Sequence, residues 1–131
     1  MRSHVEFRSA ELNERDGAHP VKGRAVAELL AQSLPLYGSA AESIAAEDWG
    51  WRIIIANDPF PLWIGCGQYL EFDDGFLCFI EPSRPYVRRW FRKIFVFDAV
   101  ERLASAMDQC LRRSSAITDI RWWDDEEVSA N

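Results

Sequence analysis

Three strand-length apolar runs, at residues 51–56, 62–69 and 76–81, are separated by the turn formers Asn57-Asp58-Pro59 and Asp73-Asp74-Gly75. That alternation predicts a three-stranded antiparallel meander. If the first strand begins early, Trp49, Trp51, Ile53 and Ile55 share one face, and Arg52, Ile54 and Ala56 the other. Both sets are mostly apolar, so this strand is expected to be central and covered on each side. Residues 2–8 alternate Arg2, His4, Glu6 and Arg8 with Ser3, Val5 and Phe7, a short strand expected at a sheet edge.

The helical period appears twice. Val26, Leu29, Leu30 and Leu34 follow it until Pro35 disfavours its continuation. Val100, Leu103, Ala104, Met107, Cys110 and Leu111 form a longer stripe, opened by a capping-box match at Asp98 and Glu101 and closed near Arg112 and Arg113. Residues 117–123 read as a last strand. Between these elements the polar stretch 9–23, with Asp16-Gly17 and His19-Pro20 as breakers, reads as a long loop suited to act as a lid. Ser39 and Glu42 match a capping box, so residues 40–46 read as a short helix or a lead-in to the next strand. The acidic end, 124–131, is expected to fray. The fold expected is α+β: an antiparallel sheet of four to five strands around the meander, with two main helices on one face, in a single domain over 1–131.

The second run holds the most specific local signal. Trp63, Gly65, Gly67 and Tyr69 alternate onto one face. Glycine weakens a strand, so two on one face imply that something lies across the gap. One reading is that a neighbouring aromatic, Trp51 or Phe79, covers it, or that one glycine marks a bulge. The functional reading is a shallow groove for a ligand or peptide. A second candidate surface follows at 84–93, where Arg84, Arg88, Arg89, Arg92 and Lys93 are interleaved with Tyr86, Trp90 and Phe91. Such interleaving suits single-stranded nucleic acid. The chain as a whole carries −6, which opposes binding to a phosphate backbone. A solvated basic patch facing the acidic residues 124–127, or a contact for an acidic protein, is the better reading, with Arg84, Arg88, Arg89 and Trp90 as its candidate residues.

Composition narrows the chemistry. At 131 residues with 48% hydrophobic residues the chain can bury a core without cross-links. The cysteines, Cys66, Cys78 and Cys110, are odd in number, have no CxxC spacing and sit in apolar runs, which predicts buried reduced thiols in a cytoplasmic protein. With only His4 and His19 besides, no metal site and no cofactor are expected. No apolar run approaches a membrane span and no signal segment is evident, so no membrane partner is expected. P-loop, GxGxxG, HExxH and GxSxG motifs are all missing, and no catalytic residue is nominated.

Ser3-His-Val-Glu-Phe-Arg-Ser9, Glu47-Asp-Trp-Gly-Trp51, Pro59-Phe-Pro-Leu-Trp-Ile-Gly-Cys-Gly67, Gly75-Phe-Leu-Cys-Phe-Ile-Glu-Pro82 and Ile120-Arg-Trp-Trp123 together resemble a family of small single-domain bacterial proteins known only as hypothetical. The resemblance spans nearly the whole chain and implies a stand-alone bacterial cytosolic protein; it carries over no catalytic residue. A looser likeness, in size and in the Asp-Trp-Gly-Trp strand, is to bacterial toxin-immunity domains. The leading expectation is a non-enzymatic protein that holds a protein or peptide partner, an immunity-like inhibitor being one version. The alternative is a small-molecule-binding domain or enzyme with a pocket over the Gly65/Gly67 face, closed by 9–23. A homodimer is compatible with either.

Overall fold

The strands number eight in the computed structural model, which describes residues 1–130. In chain order the elements are β1 (His4–Arg8), α1 (Ala10–Asp16), α2 (Arg24–Ser33), a 3-10 turn (Leu34–Tyr37), β2 (Ala41–Glu47), β3 (Gly50–Ile55), β4 (Leu62–Gln68), β5 (Gly75–Glu81), β6 (Tyr86–Arg89), β7 (Arg92–Phe95), α3 (Phe97–Arg113), β8 (Thr118–Trp122) and α4 (Asp125–Ser129). Six strands form one antiparallel sheet in the order β2-β3-β4-β5-β1-β8, and β6 and β7 form a separate hairpin. The fold is α+β as expected, with a slightly larger sheet. No helix among the described residues is long and apolar enough to cross a membrane.

The meander β3-β4-β5 lies where the turn signals put it. Its inner face presents Ile53, Ile55, Leu62, Ile64, Cys66, Phe76, Cys78 and Ile80, joined by Val5 and Phe7 of β1. The stripes of α2 (Ala25, Val26, Ala27, Leu30) and α3 (Val100, Leu103, Ala104, Met107, Cys110, Leu111) close over that face. Full burial of each large aliphatic or aromatic side chain here contributes about 1.5–3 kcal/mol. This one-sided layering leaves the β3-β4-β5 part of the other face without a helix; the short α4 meets that face at its β8 edge, through Glu127 and Arg121.

Several expectations need correction. β1 is not an edge strand, because it pairs with β5 on one side and β8 on the other. Residues 40–46 are not helical: Ala41 to Glu47 pair with β3 through the two-residue turn Asp48-Trp49, and Ile44 opposite Ile53 fixes the register. Cross-strand packing outweighs the weak local helix signal. That turn also moves Trp49 to the opposite face from Trp51, and β3 is covered on one side only. The 9–23 stretch is not a plain loop. Ser9 Oγ accepts the Leu12 amide at 3.0 Å and starts α1. The buried Asp16 carboxylate then accepts the Gly23 and Ala25 amides, each at 2.9 Å, and so sets the entrance of α2. Gly23, at φ 114°, lies where a Cβ would strike the Cys66 carbonyl, so only glycine fits. α3 starts at Phe97, with Val96 rather than Asp98 as its N-cap, because the chain runs from β7 straight into the helix. The acidic end, expected to fray, forms α4 with a complete capping box between Asp124 and Glu127.

Candidate functional site

Alternation along β4 places Trp63, Gly65 and Gly67 on the helix-free face of the sheet, as expected. The register sets Phe79 directly opposite Gly65. A Cβ on Gly65 would strike Cζ, Cε1 and Cε2 of the Phe79 ring, so the ring lies flat on the glycine. Of the two coverings considered from the sequence, Phe79 is the one present; Trp51 points to the helix side, where its indole donates to the Val21 carbonyl at 3.2 Å.

Phe79 is the hub of a continuous chain of rings. It meets Trp49 at 5.3 Å, Trp63 at 5.7 Å and His4 at 5.7 Å. His4 stacks in turn on Trp123 at 5.5 Å, Trp123 meets Tyr69 at 6.2 Å, and Tyr69 meets Phe72 at 6.4 Å. Tyr69 thus joins the same face from the far end. The two ends differ in character. At the Tyr69 end polar groups lock the rings: Glu6 Oε1 accepts from the Trp123 indole at 2.9 Å and from Arg121 at 2.6 Å, and Arg8 lies over Phe72 at 4.4 Å while pairing with Asp74. At the Trp63 end the rings face solvent. Trp49 is 45% exposed, and Trp49, Trp63, Gly67, Gln68, Leu77 and Phe79 line a shallow apolar depression of about 290 Å³. Arg52 lies over Trp63 at 5.6 Å and reaches Glu47 at 3.3 Å, while its Nε is buried with no hydrogen-bond partner.

Trp49, Leu77, His4 and Trp123 were not singled out from the sequence. Trp49 depends on the turn Asp48-Trp49, Leu77 on the β4-β5 register that sets it opposite Gly67, and His4 and Trp123 on pairings between strands far apart in the chain. The stretch expected to close over the glycines lies instead with the helices: Leu12 is in the core, Asp16 binds α2 and Val21 meets Trp51.

Arg84, Arg88, Arg89 and Trp90 fall together elsewhere, on the β6-β7 hairpin and the segment leading into it. Val87 and Ile94 turn toward the core, and Arg89 donates to the Asp58 and Pro59 carbonyls at 3.0 Å each. The opposite side carries Tyr86 and Phe95 with Arg88 and Lys93 over the Tyr86 ring at 5.7 and 4.6 Å. Trp90 and Phe91 form the tip. The acidic end does not face this segment as expected: Glu127 pairs with Arg121 at 2.8 Å, and Asp125 with the chain N-terminus at 3.6 Å.

Nucleophilic chemistry finds little footing. The Cys66 thiol is pushed well up by its hydrogen bond with Cys78 and by full burial, and burial pushes Cys110 up to about 11. His4 is lowered by burial, with Glu81 opposing, and its Nδ1 is 2.9 Å from Ser3 Oγ. Among the described residues no three His, Cys, Asp or Glu side chains converge as a metal set.

The architecture thus defines a two-layer α+β protein with a bare aromatic sheet face. Comparison with protein-family models, with curated proteins and with solved structures finds no match.

Proposed function

We propose that this is a non-enzymatic binding protein that takes a protein or peptide partner on the helix-free face of its sheet, at the Trp49/Trp63/Leu77/Phe79 end. The observation that supports this reading is the contrast between the two ends of the ring chain. One end pins its rings with the Glu6, Arg121, Arg8 and Asp74 side chains, although Phe72 is exposed there, and the other gathers Trp49, Trp63, Leu77 and Phe79 around an open apolar depression. Rigid, preassembled aromatic surface with a polar rim is what protein interfaces use as their energetic centre. Enclosed small-molecule sites differ, since they bury most of their ligand and carry several convergent polar groups. Here the side chains lining the depression are those of Trp49, Trp63, Leu77 and Phe79, with no convergent set of polar groups. An inhibitor of the immunity type is one version of the reading.

A photoreactive amino acid at Leu77, with one at the exposed helix residue Arg102 as control, tests this in cells. A discrete polypeptide adduct at 77 and none at 102 is expected. The adduct's partner, once purified, should bind about tenfold or more weakly to Trp49→Ala. No adduct at 77, together with a retained compound of small-molecule mass on the purified chain, would replace this reading with the ligand-binding alternative over Gly67.

A further inference from the structure

The hairpin tip raises a separate question. Trp90 and Phe91 are the two central residues of the β6-β7 turn, with φ of 54° and 65°. Positive φ at both positions is the geometry of a type I′ turn, for which Asn-Gly is favoured. Two large L-residues are strained there. They are also 83% and 100% exposed. Just behind the tip, Arg89 stands opposite Arg92 and Arg88 opposite Lys93. Like charges directly opposite destabilise a strand pair. No acidic residue occurs between Glu81 and Asp98, and among these cations Arg89 has backbone acceptors, the Asp58 and Pro59 carbonyls. Turn strain, charge repulsion and exposed apolar surface therefore all act against this hairpin in water, and a binding surface would relieve the last two.

The order of groups along the hairpin identifies that surface. Apolar aromatics come first, then two successive layers of paired cations, then Tyr86 and Phe95. With a rise of about 3.4 Å per residue, the cations stand about 3–7 Å behind the tip. Side chains of interfacial elements enter about 5–10 Å into the boundary between headgroups and acyl chains, with basic groups at headgroup level. Tryptophan favours that boundary, and lysine and arginine favour anionic headgroups. A nucleic-acid track would call for aromatics and cations alternating along a groove rather than stacked in layers along a projecting axis. We propose that the β6-β7 hairpin docks on an anionic lipid surface, inserting Trp90 and Phe91 while Arg88, Arg92 and Lys93 meet the headgroups and Arg89 stays tied to the Asp58 and Pro59 carbonyls. This concerns surface docking, which needs no membrane-crossing helix, and it is independent of the reading given to the sheet face.

The test is co-sedimentation of the full chain with phosphatidylserine/phosphatidylcholine vesicles and with phosphatidylcholine vesicles alone, alongside quenching of tryptophan emission by brominated lipid. Binding to the anionic vesicles only, weakened by added salt and accompanied by quenching, is expected. Trp90→Asn with Phe91→Gly installs the preferred turn, so that variant should fold at least as well yet lose the quenching and most of the binding. Arg88→Gln with Lys93→Gln should lower partitioning by about twenty- to thirty-fold, since each cation near an anionic surface contributes about a factor of five. Failure to bind anionic vesicles overturns the proposal. Undiminished binding by the Asn-Gly variant overturns it too, as does displacement from vesicles by a stoichiometric single-stranded oligonucleotide, which would assign the hairpin to nucleic acid.

Discussion

Gly65→Ala probes the aromatic face through a single methyl group. The added carbon meets three atoms at the far edge of the Phe79 ring, so the ring must tilt out of the sheet. Phe79 then gives up part of its contacts with Trp49, Trp63 and His4, now at 5.3, 5.7 and 5.7 Å. Overpacking costs about 1–3 kcal/mol in general, and an aromatic pair contributes about 0.5–1.5 kcal/mol. The ring has open solvent to move into, which limits the clash, so the expected net loss is about 2 kcal/mol. With a urea slope of about 1–3 kcal/mol per molar, the unfolding midpoint drops by about 1 M. Melts followed by far-UV circular dichroism measure this without relying on the perturbed tryptophans. The decisive comparison is the cycle with Phe79→Ala. Once the ring is gone the clash has no partner, and Ala in a strand is preferred over Gly by about 0.5–1 kcal/mol, so Gly65→Ala becomes neutral or stabilising. The coupling energy is then about 2 kcal/mol or more. Additive effects in the cycle, or an unchanged midpoint for Gly65→Ala alone, would refute the claim that Phe79 is seated on this glycine.

Three further outcomes follow from the same structure. Asp16→Ala strips two buried amides of a charged acceptor and should cost about 2–4 kcal/mol, with hydrogen exchange at Gly23 and Ala25 rising before global unfolding. All three thiols are buried; the Cys78 hydrogen bond and burial raise Cys66, and burial raises Cys110, so a thiol reagent should label none in the native protein at neutral pH and three in denaturant. Burial lowers His4 from its usual 6.5, with Glu81 opposing. The unfolded chain therefore takes up that proton first: stability is full above the ordinary histidine range and falls as pH drops through it, and subtracting the pH profile of His4→Gln from that of the parent should isolate this slope.

The elements readable in the sequence were those whose pattern is local and repeated. The meander has two strong turns, and α2 and α3 carry several turns of apolar stripe. α1 was missed because Leu12 is its only buried apolar residue, and its start depends on one Ser9 hydroxyl. β2 was misread because alanines and a chance Ser39/Glu42 spacing look helical, whereas its conformation is decided by pairing with β3. The interior position of β1 rests on pairing across roughly seventy and more than a hundred residues, which no local window contains. The site divides along the same line. Trp63, Gly65 and Gly67 were legible because strand alternation is local. Trp49, His4, Leu77 and Trp123 were not, because they join the face through a turn, the β4-β5 register or a distant pairing. The Trp90-Phe91 tip was hidden for another reason: a turn without Asn or Gly gives no turn signal.

The claim that the Trp49 end of the sheet face is occupied by a polypeptide is tested most directly by hydroxyl-radical footprinting of the protein inside its own cells and after purification. Trp49 should be oxidised readily in the isolated chain and protected in the cell, with the core ring Phe7 unreactive in both. Equal labelling of Trp49 in the two settings would contradict the account, because a face that carries a partner cannot be as open to radicals in the cell as it is alone.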